Sequence, residues 1–280
     1  MLGLFGKRSG KAIRSTRPEP TYEMNDDPVI GYVLLSESVS REQIIEALND
    51  HVSEDDNLEW DEDEADGDNL SCTINGLWIS MSSTDAPFPD GEAQGVLHPM
   101  FGGDDPEAIE QHRAFLIVAG VPFLSETHSD NQAPLSHMDA VVCQVQAVRA
   151  LLHLPEAVGY YSGDVGTTYG KEVYLTITDP EEPMPSAFMA PVWVRRREDG
   201  TWNAYSIGLP KWGIPDVQVV ASKREPSELF EYLTDIVDYQ IRGGRIRAGE
   251  TLGRDENEKI TTSWQPSIVD HEQTALQLDM

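Results

Sequence analysis

Cysteine is scarce in this 280-residue chain: Cys72 and Cys143 are the only two. Two lone thiols do not make a disulfide framework. Cys143 falls in an apolar run of helical spacing and Cys72 in a predicted strand, so both are expected to be reduced core residues. Long apolar runs are also missing. No segment approaches 18 consecutive apolar residues, which excludes a helical membrane span. The opening Met1–Gly6 is apolar but too short for the core of a secretory signal, and the basic residues follow it instead of preceding it. The expected location is the cytoplasm.

The usual signatures of chemistry are absent as well. There is no Gly-rich phosphate loop, no G-x-S-x-G elbow and no H-E-x-x-H. The seven histidines (His51, His98, His112, His128, His137, His153 and His271) include no pair four residues apart on a predicted helix. With two isolated cysteines, this leaves no zinc ligand set. Paired carboxylates serve glycosidases, but among 49 acidic residues such pairs arise by chance. The six tryptophans lie mostly at strand positions, where core packing accounts for them. The sequence therefore predicts no catalytic residue, no metal and no cofactor.

Basic residues are the other shortage. The chain has 20 Lys and Arg against 49 Asp and Glu, a net charge of −29. Such a field repels nucleic acid and anionic membrane, attracts basic proteins and speeds their association. Solubility alone needs no asymmetry, yet the charge is uneven. Residues 1–20 carry five bases and one acid. Residues 21–140 carry 27 acids and two bases, Arg41 and Arg113. Residues 141–280 carry 21 acids and 13 bases. The extreme is the run 54–68, with ten carboxylates, no base, and Trp60 near its centre. Such a block is expected to be a solvated loop. Asp61-Glu62-Asp63-Glu64 offers hard oxygen ligands, but the EF-hand spacing is not met. As a partner-binding element, the run offers Trp60 as an aromatic anchor and Asp61, Glu62, Asp63 and Glu64 as charge partners.

Periodicity gives the organisation. Val29–Leu35 reads as a buried strand, and Ser40 with Gln43 has capping-box spacing ahead of a helix bearing Ile44, Ile45 and Leu48. Leu70–Ile74 and Leu77–Met81 flank Asn75-Gly76, a hairpin signal. Pro106 opens a short helix, and Phe115–Val118 is another strand. Residues 122–134 form a polar break. Ser136 to Leu154 is the clearest helix in the chain. Strands follow at Val158–Tyr161, Val173–Thr178, Val192–Arg196, Trp202–Ile207 and Val217–Ala221. Pro226 begins a helix that Gly243-Gly244 stops, and short strands around Thr261–Trp264 and Thr274–Leu278 close the pattern. The expected class is α+β, with two α/β sandwich-like halves and mainly antiparallel sheets. The expected divisions are a basic disordered tail at 1–27, an acidic subdomain at 28–130 with its loop at 54–68, and a C-terminal subdomain at 131–280.

The C-terminal half carries recognisable phrases. Tyr205-Ser206-Ile207-Gly208-Leu209-Pro210-Lys211-Trp212-Gly213-Ile214-Pro215-Asp216 and Ile246-Arg247-Ala248-Gly249-Glu250-Thr251-Leu252-Gly253 resemble a bacterial family of unknown function. Its members share a tract T-x-G-L-x-x-F-G-x-P-E followed by L-x-x-G-D-T-I-G. Here Ser206, Trp212 and Asp216 replace the usual Thr, Phe and Glu. Val33–Ser36, His112–Leu116 and Gly159–Tyr161 match more loosely, so the resemblance spans roughly 29–278. The acidic run is not part of the pattern. The family has no catalytic residues to carry over, and its motif positions read as fold residues. What the resemblance implies is context, because similar proteins recur in toxin–immunity neighbourhoods, including those of type VI secretion. In size and charge the chain is similar to the immunity partner of a DNase effector with a GHH-type nuclease domain.

The leading expectation is an immunity protein that occludes a basic nuclease toxin, with no direct nucleic-acid or membrane partner. One alternative is an enzyme or small-ligand binder with a pocket between the halves, using His112, Tyr160 and Asp164. Another is an acidic DNA mimic that regulates a host protein.

Overall fold

The computed structural model describes residues 17–22, 27–61, 69–103, 105–121, 135–255 and 258–280. Contacts divide the chain into two compact units. One is Asn25–Met184; the other is Pro185–Met280 with Met1–Met24.

The N-terminal unit runs β1 (Val29–Leu35), α1 (Arg41–His51), β2 (Leu58–Trp60), β3 (Asn69–Ile74), β4 (Leu77–Thr84), α2 (Glu92–Gly95), α3 (Pro106–Glu110), β5 (Ala114–Val121), α4 (His137–Leu152), β6 (Ala157–Ser162), β7 (Thr167–Gly170) and α5 (Lys171–Ile177). Its strands form one antiparallel sheet in the order β2-β3-β4-β5-β1-β6-β7. Local chemistry sets the ends of these elements. Ser40 Oγ accepts from Gln43 N–H while Gln43 Oε1 accepts from Ser40 N–H, the predicted capping box. Ser136 and Asp139 start α4 in the same way. Asn75 and Gly76 both adopt positive φ, 48° and 86°, as a two-residue hairpin turn requires.

Helix α4 lies across β5, β1 and β6. The helix that follows 122–134 therefore packs onto the sheet that precedes that segment. Within its buried stripe, Gln144 donates to the carbonyls of Val29 (2.8 Å) and Val118 (2.9 Å), and its Oε1 accepts from Tyr160 Oη at 3.4 Å. A buried amide with all these groups paired fixes the helix to β1 and β5. Tyr160 crosses β1 where Gly31 leaves room; a Cβ on Gly31 would strike the phenol. On the opposite face, α2 and α3 enclose a cluster of Leu34, Ile109, Phe115 and Tyr161, with Tyr32 and Phe88 packed beside it.

Two expectations need correction. Val173–Thr178 is not a strand but most of α5. Its buried residues Tyr174 and Ile177 fall at helical spacing ahead of the buried cap Thr178, and β-branched composition yields to that tertiary pattern. The acidic run 54–68 is not wholly loop, because Leu58–Trp60 pairs with β3 as an edge strand. Residues 62–68 lie outside the described residues.

The C-terminal unit runs α6 (Pro185–Met189), β8 (Val192–Arg196), β9 (Trp202–Ser206), β10 (Val217–Ser222), α7 (Pro226–Ile241), β11 (Thr251–Leu252), β12 (Ile260–Pro266) and β13 (Thr274–Leu278). Its sheet has the order β11-β12-β13-β10-β9-β8, antiparallel except between β10 and β13. Helix α7 lays Leu229, Leu233, Ile236 and Val237 on β8, β9 and β10. Trp193 and Trp264 are core residues, as their strand positions suggest. Part of the expected disordered tail is docked here. Arg17 donates to the carbonyls of His271 (2.8 Å), Glu272 (3.0 Å) and Gln273 (2.9 Å), and Tyr22 Oη donates to that of Thr274 at 2.6 Å. Residues 1–16 lie outside the described residues. Two mostly antiparallel sheets with their helices make the protein α+β, as expected.

Candidate functional site

The fold sorts the charge more sharply than the sequence segments did. Asn25–Met184 contains 32 acidic and four basic residues, a net −28. All remaining residues together contain 17 acidic and 16 basic ones, a net −1. The imbalance therefore belongs to one folded unit.

Many of its carboxylates serve that fold. Asp105 caps α3 by accepting from Ala108 N–H at 3.0 Å. Asp139 completes the α4 cap, Asp85 accepts from Ser38 Oγ at 2.6 Å, and Glu92 accepts from Tyr161 Oη at 2.6 Å. The acids of α1 and β2 are placed differently. Glu42, Glu46 and Asp50 recur every fourth residue along the exposed stripe of α1, away from the buried Ile44, Ala47 and Leu48. Glu42 is held below the usual carboxylate range by a hydrogen bond to its own backbone N–H and one to Ser40. Glu54 and Asp55 continue exposed beyond the helix, followed by Glu59 on β2 and Asp61 just after it.

Trp60 couples the helix to the strand. Its Nε1 donates to Asn49 Oδ1 at 3.0 Å, and the indole is half-buried. The predicted anchor is thus engaged with α1, where it sets one acidic element beside another. Asp61 is exposed; its N–H donates to Ser71 O at 3.2 Å, and its carboxylate accepts from Ser71 Oγ at 3.4 Å. Glu62, Asp63 and Glu64 lie outside the described residues. Sequence reasoning missed Glu42, Glu46 and Asp50. The signal was present, because the spacing 42, 46, 50 behind a capping box puts three carboxylates on one helical face. Of the four cations in this unit, Arg41, Arg149 and Lys171 donate to the backbone carbonyls of Asn69, Leu175 and Leu154.

The residues proposed for a small-molecule pocket do not converge. His112 is buried, with Nδ1 2.6 Å from Ile109 O and Nε2 accepting from Phe88 N–H at 2.8 Å, so both ring nitrogens are committed to the α3 side of the sheet. Tyr160 points to Gln144 on the α4 side, and burial, aided by Asp164, pushes its phenol well up. Beside α3 an open cleft of about 360 Å³ is lined by Ser36, Asp105, Glu107, Ala108, Gln111, Arg113 and Val158. Asp105 there is the helix cap, and Glu107 accepts from Gln111 at 2.7 Å. Among the described residues, no three His, Cys, Asp or Glu side chains are grouped to hold a metal ion. Cys72 and Cys143 are free and buried, which pushes their thiols up to about 12 and about 11. Among the described residues, no helix is long and apolar enough to cross a membrane.

The phrases of the C-terminal unit are built as structure. Gly208 and Gly213 take φ of 122° and 70° around a 3-10 turn at Leu209–Trp212, and Leu209 is fully buried. Asp216 Oδ1 accepts from Ser206 Oγ at 2.7 Å and Leu209 N–H at 3.2 Å, and Ser206 Oγ accepts from Val217 N–H at 3.0 Å. These residues close the turn between β9 and β10.

The class this architecture defines is an α+β protein with one strongly acidic unit and one nearly neutral unit. Residues 205–279, from β9 to the end of β13, match a domain of unknown function (DUF4261). The acidic unit lies outside that match. No curated protein and no solved structure matches the chain.

Proposed function

We propose that the protein is an immunity protein, which acts in the cytoplasm by binding a basic nuclease toxin and occluding its active site or DNA-binding groove. The observation that carries this reading is the concentration of net −28 in Asn25–Met184, with exposed carboxylates running along α1 into β2. A nuclease that grips a polyanion presents a basic groove. A rigid acidic surface competes for that groove and is steered to it over several ångströms of solvent. The nearly neutral unit, which carries the DUF4261 match, supplies a scaffold in this reading.

The test is protection. Each basic protein encoded beside this chain's gene is expressed with and without it in a bacterial host, and DNA integrity and survival are scored. The expected outcome is toxicity that this chain suppresses, together with co-purification of the pair. Absence of any neighbouring toxin that it binds and neutralises contradicts the reading.

A further inference from the structure

Strand β2 ends the N-terminal sheet, and its backbone shows which of its groups are spent. Asp61 N–H donates to Ser71 O, and the register pairs Glu59 with Thr73 and Trp60 with Cys72. In an antiparallel pair, successive residues turn both backbone groups alternately toward and away from the partner strand. Glu59 and Asp61 therefore turn toward β3, while Leu58 and Trp60 turn their N–H and C=O outward. Among the described residues nothing hydrogen-bonds to that outer side. The strand is also held in place, through the Trp60–Asn49 bond to α1. The exposed Glu59 and Asp61 alternate along one face of the strand, within a unit of net −28.

We propose that the outer edge of β2 receives an extended, basic segment of the partner protein as an added strand. The main-chain groups of Leu58 and Trp60 supply the pairing, and Glu59 and Asp61 favour lysine and arginine side chains. Strand addition of this kind gains affinity from backbone bonds and specificity from alternate side chains. Charge complementarity decides the occupant. A basic strand matches the net −28 of this unit, whereas an acidic strand or a second copy of the same edge adds like charge to it. This inference rests on the reading of the acidic unit as a protein-binding surface.

The experiment titrates a short peptide of alternating lysine and valine into the full-length protein at low salt. A peptide of identical side chains with N-methylated backbone amides runs beside it. The unmethylated peptide is expected to bind, and the methylated one at least about tenfold more weakly, since its charge is intact but its pairing is lost. Leu58→Pro removes an outward N–H that β3 does not use, a substitution that sheet edges tolerate. It is expected to weaken peptide binding by a similar factor with an unchanged circular dichroism spectrum. If this variant fails to fold, the methylated peptide alone decides. Equal binding of the two peptides, or of variant and wild type, overturns strand addition and leaves the acidic surface as an electrostatic docking face. No binding by either peptide overturns it too and leaves the charges as guards of the edge. The protection assay is read independently, so it can succeed while strand addition fails.

Discussion

Asp216 holds the turn between β9 and β10 with a carboxyl that burial pushes up to about 7, against the pull of its bonds from Ser206, Leu209 and Gly208. Because the folded value exceeds the unfolded one, the folded state binds the extra proton between about pH 4 and pH 7. The Asp216 contribution to stability is therefore full below the unfolded pKa and declines as pH rises through 7. Urea unfolding of wild type and Asp216→Asn from pH 4 to pH 8.5 checks this. The midpoint of wild type relative to the variant is expected to fall across that window and level off above it. A difference that does not change with pH contradicts the assignment. Tyr22 feels the same carboxyl. Burial and Asp216 together raise its phenol to about 12, so the Tyr22 hydroxyl that bonds to Thr274 stays protonated across this range.

Elements differ in how far the sequence announced them. Helices α1, α4 and α7 were legible because each combines a start signal with a 3.6-residue apolar stripe. The hairpin β3–β4 was legible from Asn75-Gly76. Strand β2 was not, because the alternation Leu58-Glu59-Trp60 is only three residues long inside a run of carboxylates, and the pairing of Leu58 and Trp60 with Ile74 and Cys72 is what makes them a strand. Helix α5 was misread because Val173, Ile177 and Thr178 have strand composition; its helical spacing has only Tyr174 and Ile177 to declare it. Of the candidate site, Trp60 and Asp61 were found by composition, but the link of Trp60 to α1 depends on Asn49, a contact no local pattern encodes. Irregularity within elements was also invisible. Ala221 sits at φ 56° where β10 shifts register against β9, held there by Asn203 Oδ1 at 3.1 Å. A left-handed conformation costs a side-chain-bearing residue about 1–2 kcal/mol. Ala221→Gly is expected to stabilise the C-terminal unit by about 1 kcal/mol, less what the unfolded chain gains in freedom. A raised urea midpoint supports the bulge, and an unchanged or lowered one argues against it.

At the scale of the whole molecule, charge and family resemblance separate. The unit with the DUF4261 match is built from ion pairs such as Arg224–Glu228, Arg224–Glu258 and Arg254–Asp235, and is close to neutral. The other unit carries the self-repulsion of net −28, of which caps and hydrogen bonds such as those of Asp105, Asp139 and Glu92 use only a part. The central claim is that this field captures a basic protein. The most direct measurement is the association rate of the full-length chain with a basic protein that it captures in the protection assay, from about 20 mM to about 500 mM NaCl, where screening shortens from about 20 Å to a few ångströms. A rate that falls at least about tenfold with salt, and falls similarly at low salt in a Glu46→Lys, Asp50→Lys double variant, is the predicted result. A rate indifferent to both salt and charge reversal would contradict it.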